Sequence, residues 1–155
     1  IFLTRERSQI PARLPKSILW QPYVPLSVLL PHAAVLVHHG GIGTTAEALR
    51  SGTPQLIAPF AWDQFDNGAR IASLGVGMVI PAKRLRPRKL ARSLQNLYTS
   101  ETVRAQCSLL ASRFLPPHDP VGLCREIERL VQATHNDAQH SNPPDLRQAA
   151  LASVR

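Results

Sequence analysis

VLVHHGGIGTTAEALRSGTP, residues 35–54, decides the fold. An apolar run, Ala34–Val37, stops at His38 and His39. Gly40, Gly41, Ile42 and Gly43 follow, and then a helical pattern. The unbroken apolar run reads as a strand covered on both faces. Thr44 and Glu47 have capping-box spacing, which predicts a helix from about Thr44. Gly52 and Pro54 predict its stop. The first N–H groups of a helix have no partner inside it, and glycine lets backbone approach a ligand closely. An anion held there gains roughly 0.3–1 kcal/mol from the helix dipole, up to about 2 when partly buried. Each hydrogen bond to a charged group adds about 1.5–3 kcal/mol. The stretch therefore predicts a strand–loop–helix corner that holds a phosphate. The competing reading is a tight turn with ordinary capping.

Working outward, "IFLT" (Ile1–Thr4), "SILWQ" (Ser17–Gln21), "PQLIAP" (Pro54–Pro59) and "GMVIP" (Gly77–Pro81) read as further strands. Pro25–Pro31 reads as a turn or one short helix, with Leu29 and Leu30 packing inward. Helical patterns cover Asp66–Gly75, with Gly75 as the stop, and Pro87–Tyr98, with Leu90, Leu94 and Leu97 on one face. Ser100 is placed to cap a helix carrying Val103, Cys107, Leu110 and Phe114 inward. Val121–Val131 carries another apolar face, Leu123, Ile127, Leu130 and Val131. Strands alternating with helices imply an α/β, Rossmann-like parallel sheet with helices on both faces. Ligands of such sheets bind beyond the carboxyl ends of the strands. The expected division is a domain over residues 1–134, incomplete at its N-terminus, and a polar tail over 135–155.

The residues at the corner point to specific chemistry. Successive strand residues face opposite sides, so at most one of the two histidines faces the site. His39 adjoins the glycines and can donate to a phosphate oxygen, offsetting charge on a leaving diphosphate. His38 is given a structural role. Gly41, Gly43 and Ala46 also match the G-x-G-x-x-A dinucleotide fingerprint, here after a strand and before a helix. Asp63 and Gln64 follow the next strand at the same edge. A carboxylate beside an amide suits vicinal sugar hydroxyls, although either residue, or Asp66, could instead cap the following helix.

Composition excludes some classes. Among 155 residues, 44% are hydrophobic and 18% charged, an ordinary globular balance rather than a disordered one. No apolar stretch reaches the roughly 20 residues that span a bilayer, and Ile1 opens directly into what reads as a strand, without a basic leader or cleavage site, so no signal peptide is expected in this stretch. The abrupt start suggests a piece of a longer protein. Net charge is +8, but its densest cluster, Lys83–Arg92, lacks the interleaved aromatics of a nucleic-acid platform and reads as a solvated helix start. Cys107 and Cys124 fall on apolar helix faces, so buried reduced thiols and a cytoplasmic setting are expected. No His/Cys spacing suggests a metal.

Tyr23–Gly77, "YVPLSVLLPHAAVLVHHGGIGTTAEALRSGTPQLIAPFAWDQFDNGARIASLGVG", resembles the nucleotide-sugar-dependent glycosyltransferases of the GT-B type. It looks most like their bacterial and sterol-type branch, whose acceptors are lipophilic. The resemblance implies the donor-binding C-terminal domain of an inverting enzyme that takes sugar from a UDP-glucose-like donor and needs no cofactor. His39, Gly41, Gly43, Thr44 and Thr45 would hold the diphosphate. Asp63 and Gln64 would bind the transferred sugar. Tyr23 would stack on the base, with Trp20 a nearby alternative that reads as a strand residue. Glu47 would reach the ribose, in competition with its capping role. The sequence departs from many relatives at Tyr23, where they have tryptophan, and from plant members at Leu26, where they have a ribose-binding glutamine. The catalytic base belongs to an N-terminal acceptor domain, so no catalytic residue is expected in this chain. The alternative is an NAD-type oxidoreductase domain, since Asp63 lies about 20 positions past the glycines. A third reading is a nucleic-acid binder using Lys83–Arg92.

Overall fold

A computed structural model describes residues 1–114 and 120–140. Among the described residues five short strands form: β1 (Phe2–Leu3), β2 (Trp20–Gln21), β3 (Leu36–His38), β4 (Gln55–Ile57) and β5 (Gly77–Val79). The helices are α1 (Leu26–Leu29), α2 (Ile42–Ser51), α3 (Gln64–Ser73), α4 (Pro87–Thr99), α5 (Glu101–Ala111) and α6 (Pro120–His140). Every strand pair is parallel. The strands form two sheets, β1-β2 and β3-β4-β5, the second in the register Leu36↔Gln55 and Gln55↔Gly77. Ile1–Phe114 is one compact unit, and α6 belongs to a second.

β4 is the centre of the larger sheet, and all its residues are buried. Leu56 and Ile57 are neighbours in the strand and therefore point to opposite faces. Ile57 joins Ile71 of α3, Val76 and Cys107 of α5, with Leu49 of α2 packed alongside. Leu56 joins Ile80 and Leu97, with Leu90 and Leu94 of α4 against them. Helices thus cover both faces, as the alternating pattern predicts. Leu56, Ile57, Ile71, Val76, Ile80 and Leu97 are fully buried, and each contributes about 1.5–3 kcal/mol.

The helix boundaries follow local chemistry. Pro87 opens α4 at its first position, where a missing N–H costs nothing. Ser100 caps α5 by accepting from the Val103 N–H at 3.2 Å. Gly52 and Gly75, at φ 70° and 71°, follow α2 and α3 in the left-handed conformation that stops a helix.

Two packing expectations need correction. β3 is not covered on both faces: Val37 is 43% exposed. Val37 opens onto a groove at the edges of β1 and β3. Phe2 and Thr4 donate to the carbonyls of Leu19, just before β2, and Gln21, so the polar groups of Leu3 face the other way. Leu36 and His38 bond across to β4, so those of Val37 face away from it. Leu3 and Val37 line one groove of about 860 Å³, floored by Leu90 and Leu94 of α4. Cys107 is buried, but Cys124 on α6 is exposed, as are Leu123 and Ile127. Periodicity identifies an apolar face without saying what covers it. Of the tail expected over 135–155, residues 135–140 continue α6 and residues 141–155 lie outside the described residues.

Candidate functional site

The corner after β3 forms, with its helix starting earlier than the capping-box reading requires. α2 begins at Ile42, and Gly41 occupies the cap position with extended angles, φ −62° and ψ 140°. No side chain caps α2. Thr44 is already inside the first turn, and Glu47 lies 3.9 Å from Arg50 instead of reaching back. The capping box is therefore not made. The spacing occurs equally well inside a helix, and Gly41 provides the extended conformation without a hydroxyl. The amides of Ile42, Gly43 and Thr44 are left without intrahelical acceptors or side-chain caps. Gly43 is exposed, and a Cβ built there would meet nothing within 4 Å.

Thr45 holds the corner from within. It is buried, and both its N–H and its hydroxyl donate to the Gly41 carbonyl oxygen at 3.0 Å. His39 is exposed beside the loop. A Cβ on Gly41 would lie 2.7 Å from His39 Nε2, so glycine at 41 is what lets the imidazole occupy that place.

His38 faces inward. The Gly40 N–H donates to His38 Nδ1 at 3.2 Å, so the ring proton sits on Nε2 and is given to Gln55 Oε1 at 2.9 Å. The Gln55 amide in turn donates to the Thr45 carbonyl at 3.4 Å. Burial holds the His38 pKa below its ordinary value; the bond to Gln55 opposes this and the neighbouring His39 adds to it. A neutral His38 thus braces the loop from behind, and the strand alternation expected of the two histidines is met.

α3 brings its N-terminus against the same loop. Asp63 occupies the cap position in helical conformation, but its side chain caps no amide. Its Oδ2 accepts from Asn67 Nδ2 at 2.9 Å. Gln64 Oε1 accepts from the Phe60 and Ala61 amides at 2.9 and 3.2 Å, fixing the turn before α3. Asn67 Nδ2 also reaches the Gly40 carbonyl at 2.9 Å. The glycine corner, Asp63 and Gln64 are therefore brought together.

Tyr23 is exposed in the segment between β2 and α1, with the Arg5 guanidinium 5.5 Å from its ring centre. α1 in turn packs against α2. Trp20 is a strand residue: its indole N–H donates to the Thr4 carbonyl at 3.0 Å, and Arg7 covers its ring. Sequence reasoning missed Gly40, Asn67 and Trp62. Gly40 is buried at φ 100°, and Trp62 is 89% exposed at φ 53°. Such a backbone is uncommon outside glycine and concentrates at functional sites. Only the polar, glycine-rich composition around them was a signal.

Among the described residues no group of His, Cys, Asp and Glu could hold a metal ion, and no helix is long and apolar enough to cross a membrane. The basic residues of Lys83–Arg92 are exposed around the start of α4.

The chain is similar to several known proteins. The profile of a family described as erythromycin biosynthesis protein CIII-like, C-terminal domain, matches residues 1–130. Tylactone mycaminosyltransferase of Streptomyces fradiae is 32% identical over 130 residues, 84% of this chain and 29% of that protein. A sterol 3-beta-glucosyltransferase of Saccharomyces cerevisiae (strain YJM789) is 37% identical over 128 residues, 83% of this chain and 10% of that protein. The crystal structure of glycosyltransferase VinC in complex with DTDP superposes with a TM-score of 0.62 at 35% identity, covering 65% of this chain and 26% of that one. The chain thus spans less than a third of each of these relatives. All three are sugar transferases by name, and the oxidoreductase alternative finds no support among them.

Proposed function

The chain belongs to the erythromycin biosynthesis protein CIII-like, C-terminal domain family of GT-B glycosyltransferases, and from that premise we propose that its glycine corner holds the diphosphate of a nucleotide-sugar donor. The observation that carries this reading is the start of α2: three amides without side-chain caps, an open Gly43, and an exposed imidazole alongside. An anion there is favoured by the helix dipole and by charge-assisted hydrogen bonds. The Ile42, Gly43 and Thr44 amides receive phosphate oxygens, His39 donates to one of them, and Thr45 keeps Gly41 in place.

Asp63 and Gln64 take the sugar hydroxyls. Asp63 accepts, and the Gln64 amide nitrogen donates while its oxygen stays committed to the Phe60–Ala61 turn. Tyr23 stacks on the base and Glu47 takes a ribose hydroxyl. A pyrimidine nucleotide fits this reading, since VinC is seen with DTDP. The sterol relative is a glucosyltransferase by name, which supports a UDP-glucose-like donor and a lipophilic acceptor.

In the whole enzyme, a base on the N-terminal acceptor domain removes the proton of an acceptor hydroxyl. The oxygen attacks the sugar C1, the bond to the diphosphate breaks, and configuration inverts. Charge growing on the leaving diphosphate meets the α2 amides and His39. No cofactor enters, because the donor is itself a substrate. The buried Cys107 thiol is consistent with a reducing, cytoplasmic setting.

The test is a titration with UDP and with dTDP, followed by amide NMR and calorimetry. Shifts at Gly41–Thr44 with either nucleotide, weakened several-fold in His39→Ala, are the expected result. Folded protein with unmoved Gly41–Thr44 resonances in saturating UDP and dTDP overturns the reading.

A further inference from the structure

Asn67 belongs to none of the roles assigned so far, yet it touches two of them. One terminal atom of its side chain lies 2.9 Å from the Gly40 carbonyl oxygen and 2.9 Å from Asp63 Oδ2. Both neighbours are acceptors, so that atom is the amide nitrogen, and each of its two hydrogens has one partner. Gly40 is then held through both of its flanking peptide groups, its N–H by His38 and its carbonyl by Asn67. In a trans peptide the carbonyl and the next N–H point in opposite directions. Fixing the Gly40 carbonyl therefore fixes the direction of the Gly41 N–H, on the residue that caps α2. The same carboxamide pins one oxygen of Asp63.

We propose that Asn67 is a positioning residue that sets the phosphate loop and the Asp63 carboxylate in one geometry, so that diphosphate and sugar are recognised together. The proposal rests on the nucleotide-sugar reading of the corner. Its distinctive consequence concerns an increment: the extra affinity of a nucleotide sugar over the bare nucleotide. That increment requires Asp63 to stand at a fixed place relative to the loop, whereas a purely structural Asn67 would affect both ligands alike.

The experiment measures the affinities of UDP, UDP-glucose, dTDP and dTDP-glucose for the wild type and for Asn67→Ala, Asn67→Asp, Asn67→Gln and Asp63→Ala. Alanine is a better helix former than asparagine, so Asn67→Ala keeps α3. Asn67→Asp places a second carboxylate against Asp63 and the Gly40 carbonyl. We expect the sugar increment to fall about tenfold in Asn67→Ala, further in Asn67→Asp, and to return in part in Asn67→Gln, which keeps both N–H groups. In an Asp63→Ala background, adding Asn67→Ala should leave the increment unchanged, because the two act as one unit. The Gly41 amide resonance of the ligand-free protein should move in Asn67→Ala. Equal loss for nucleotide and nucleotide sugar, or no loss for either, in protein with unchanged circular dichroism overturns the proposal. Binding of all four ligands without any sugar increment in the wild type also overturns it while leaving the diphosphate reading intact. If the wild type binds none of them, both fall.

Discussion

Gly40→Ala tests the corner at its most constrained point. Gly40 has φ 100°, and a Cβ there would sit 2.8 Å from Ile57 Cγ2 and 3.0 Å from the Gln64 carbonyl oxygen. The first contact is with a fully buried side chain of the central strand, and the second is with backbone, so neither yields easily. Holding a non-glycine residue in this backbone region costs on the order of 1–3 kcal/mol, and overpacking adds about 1–3 kcal/mol. The combined loss is about 2–6 kcal/mol, a large part of the roughly 5–15 kcal/mol typical of a domain. For a unit the size of Ile1–Phe114, each kcal/mol moves the melting temperature by about 4 °C. Thermal unfolding followed by circular dichroism should show Gly40→Ala melting about 8–24 °C below the wild type. Gly43→Ala is the matched control. Its φ is ordinary and its Cβ meets nothing within 4 Å, so stability should hold or rise by about 0.5 kcal/mol, while nucleotide affinity falls because the open space is filled. A Gly40→Ala protein that melts within 3 °C or so of the wild type would refute the geometry on which the corner is built.

Three further outcomes are expected. His38 has a folded pKa below its ordinary 6.5, so the unfolded chain binds more protons as pH falls below that value; stability present above pH 6.5 is then lost on acidification, and His38→Gln should flatten that part of the Tm–pH curve. Burial pushes the Cys107 thiol up to about 11 while Cys124 is exposed, so Ellman's reagent at neutral pH should titrate one thiol quickly and a second only in denaturant, with Cys124→Ser removing the fast one. Ser100→Ala removes the hydroxyl that accepts the Val103 N–H and should cost about 1 kcal/mol by urea unfolding, without changing nucleotide affinity.

The strand runs and the glycine corner were legible because their signals are local. An apolar run that ends on glycine, followed by threonine and an amphipathic turn, leaves the chain few options. The start of α2 was misread because hydroxyl-to-glutamate spacing does not say where a helix begins, and Gly41 made a cap without a side chain. His39 and His38 were separable because strand alternation is geometric. Asn67 was not legible, since its role exists only once α3 has been carried across β4 to meet Gly40. The exposure of Val37 and Cys124 escaped for a related reason: an apolar stripe carries no information about its partner.

The open flanks of β1 and β3 have a practical consequence at the bench. Leu3 and Val37, whose backbone groups turn away from their sheet partners, line that trough, and an unpaired strand edge is a template for another extended chain. Crowding in the tube then becomes an experimental variable. A spectral change that grows as the sample is concentrated at constant nucleotide saturation reports on the trough, and one that follows nucleotide alone reports on the glycines. Dilution series belong beside every titration made with this molecule.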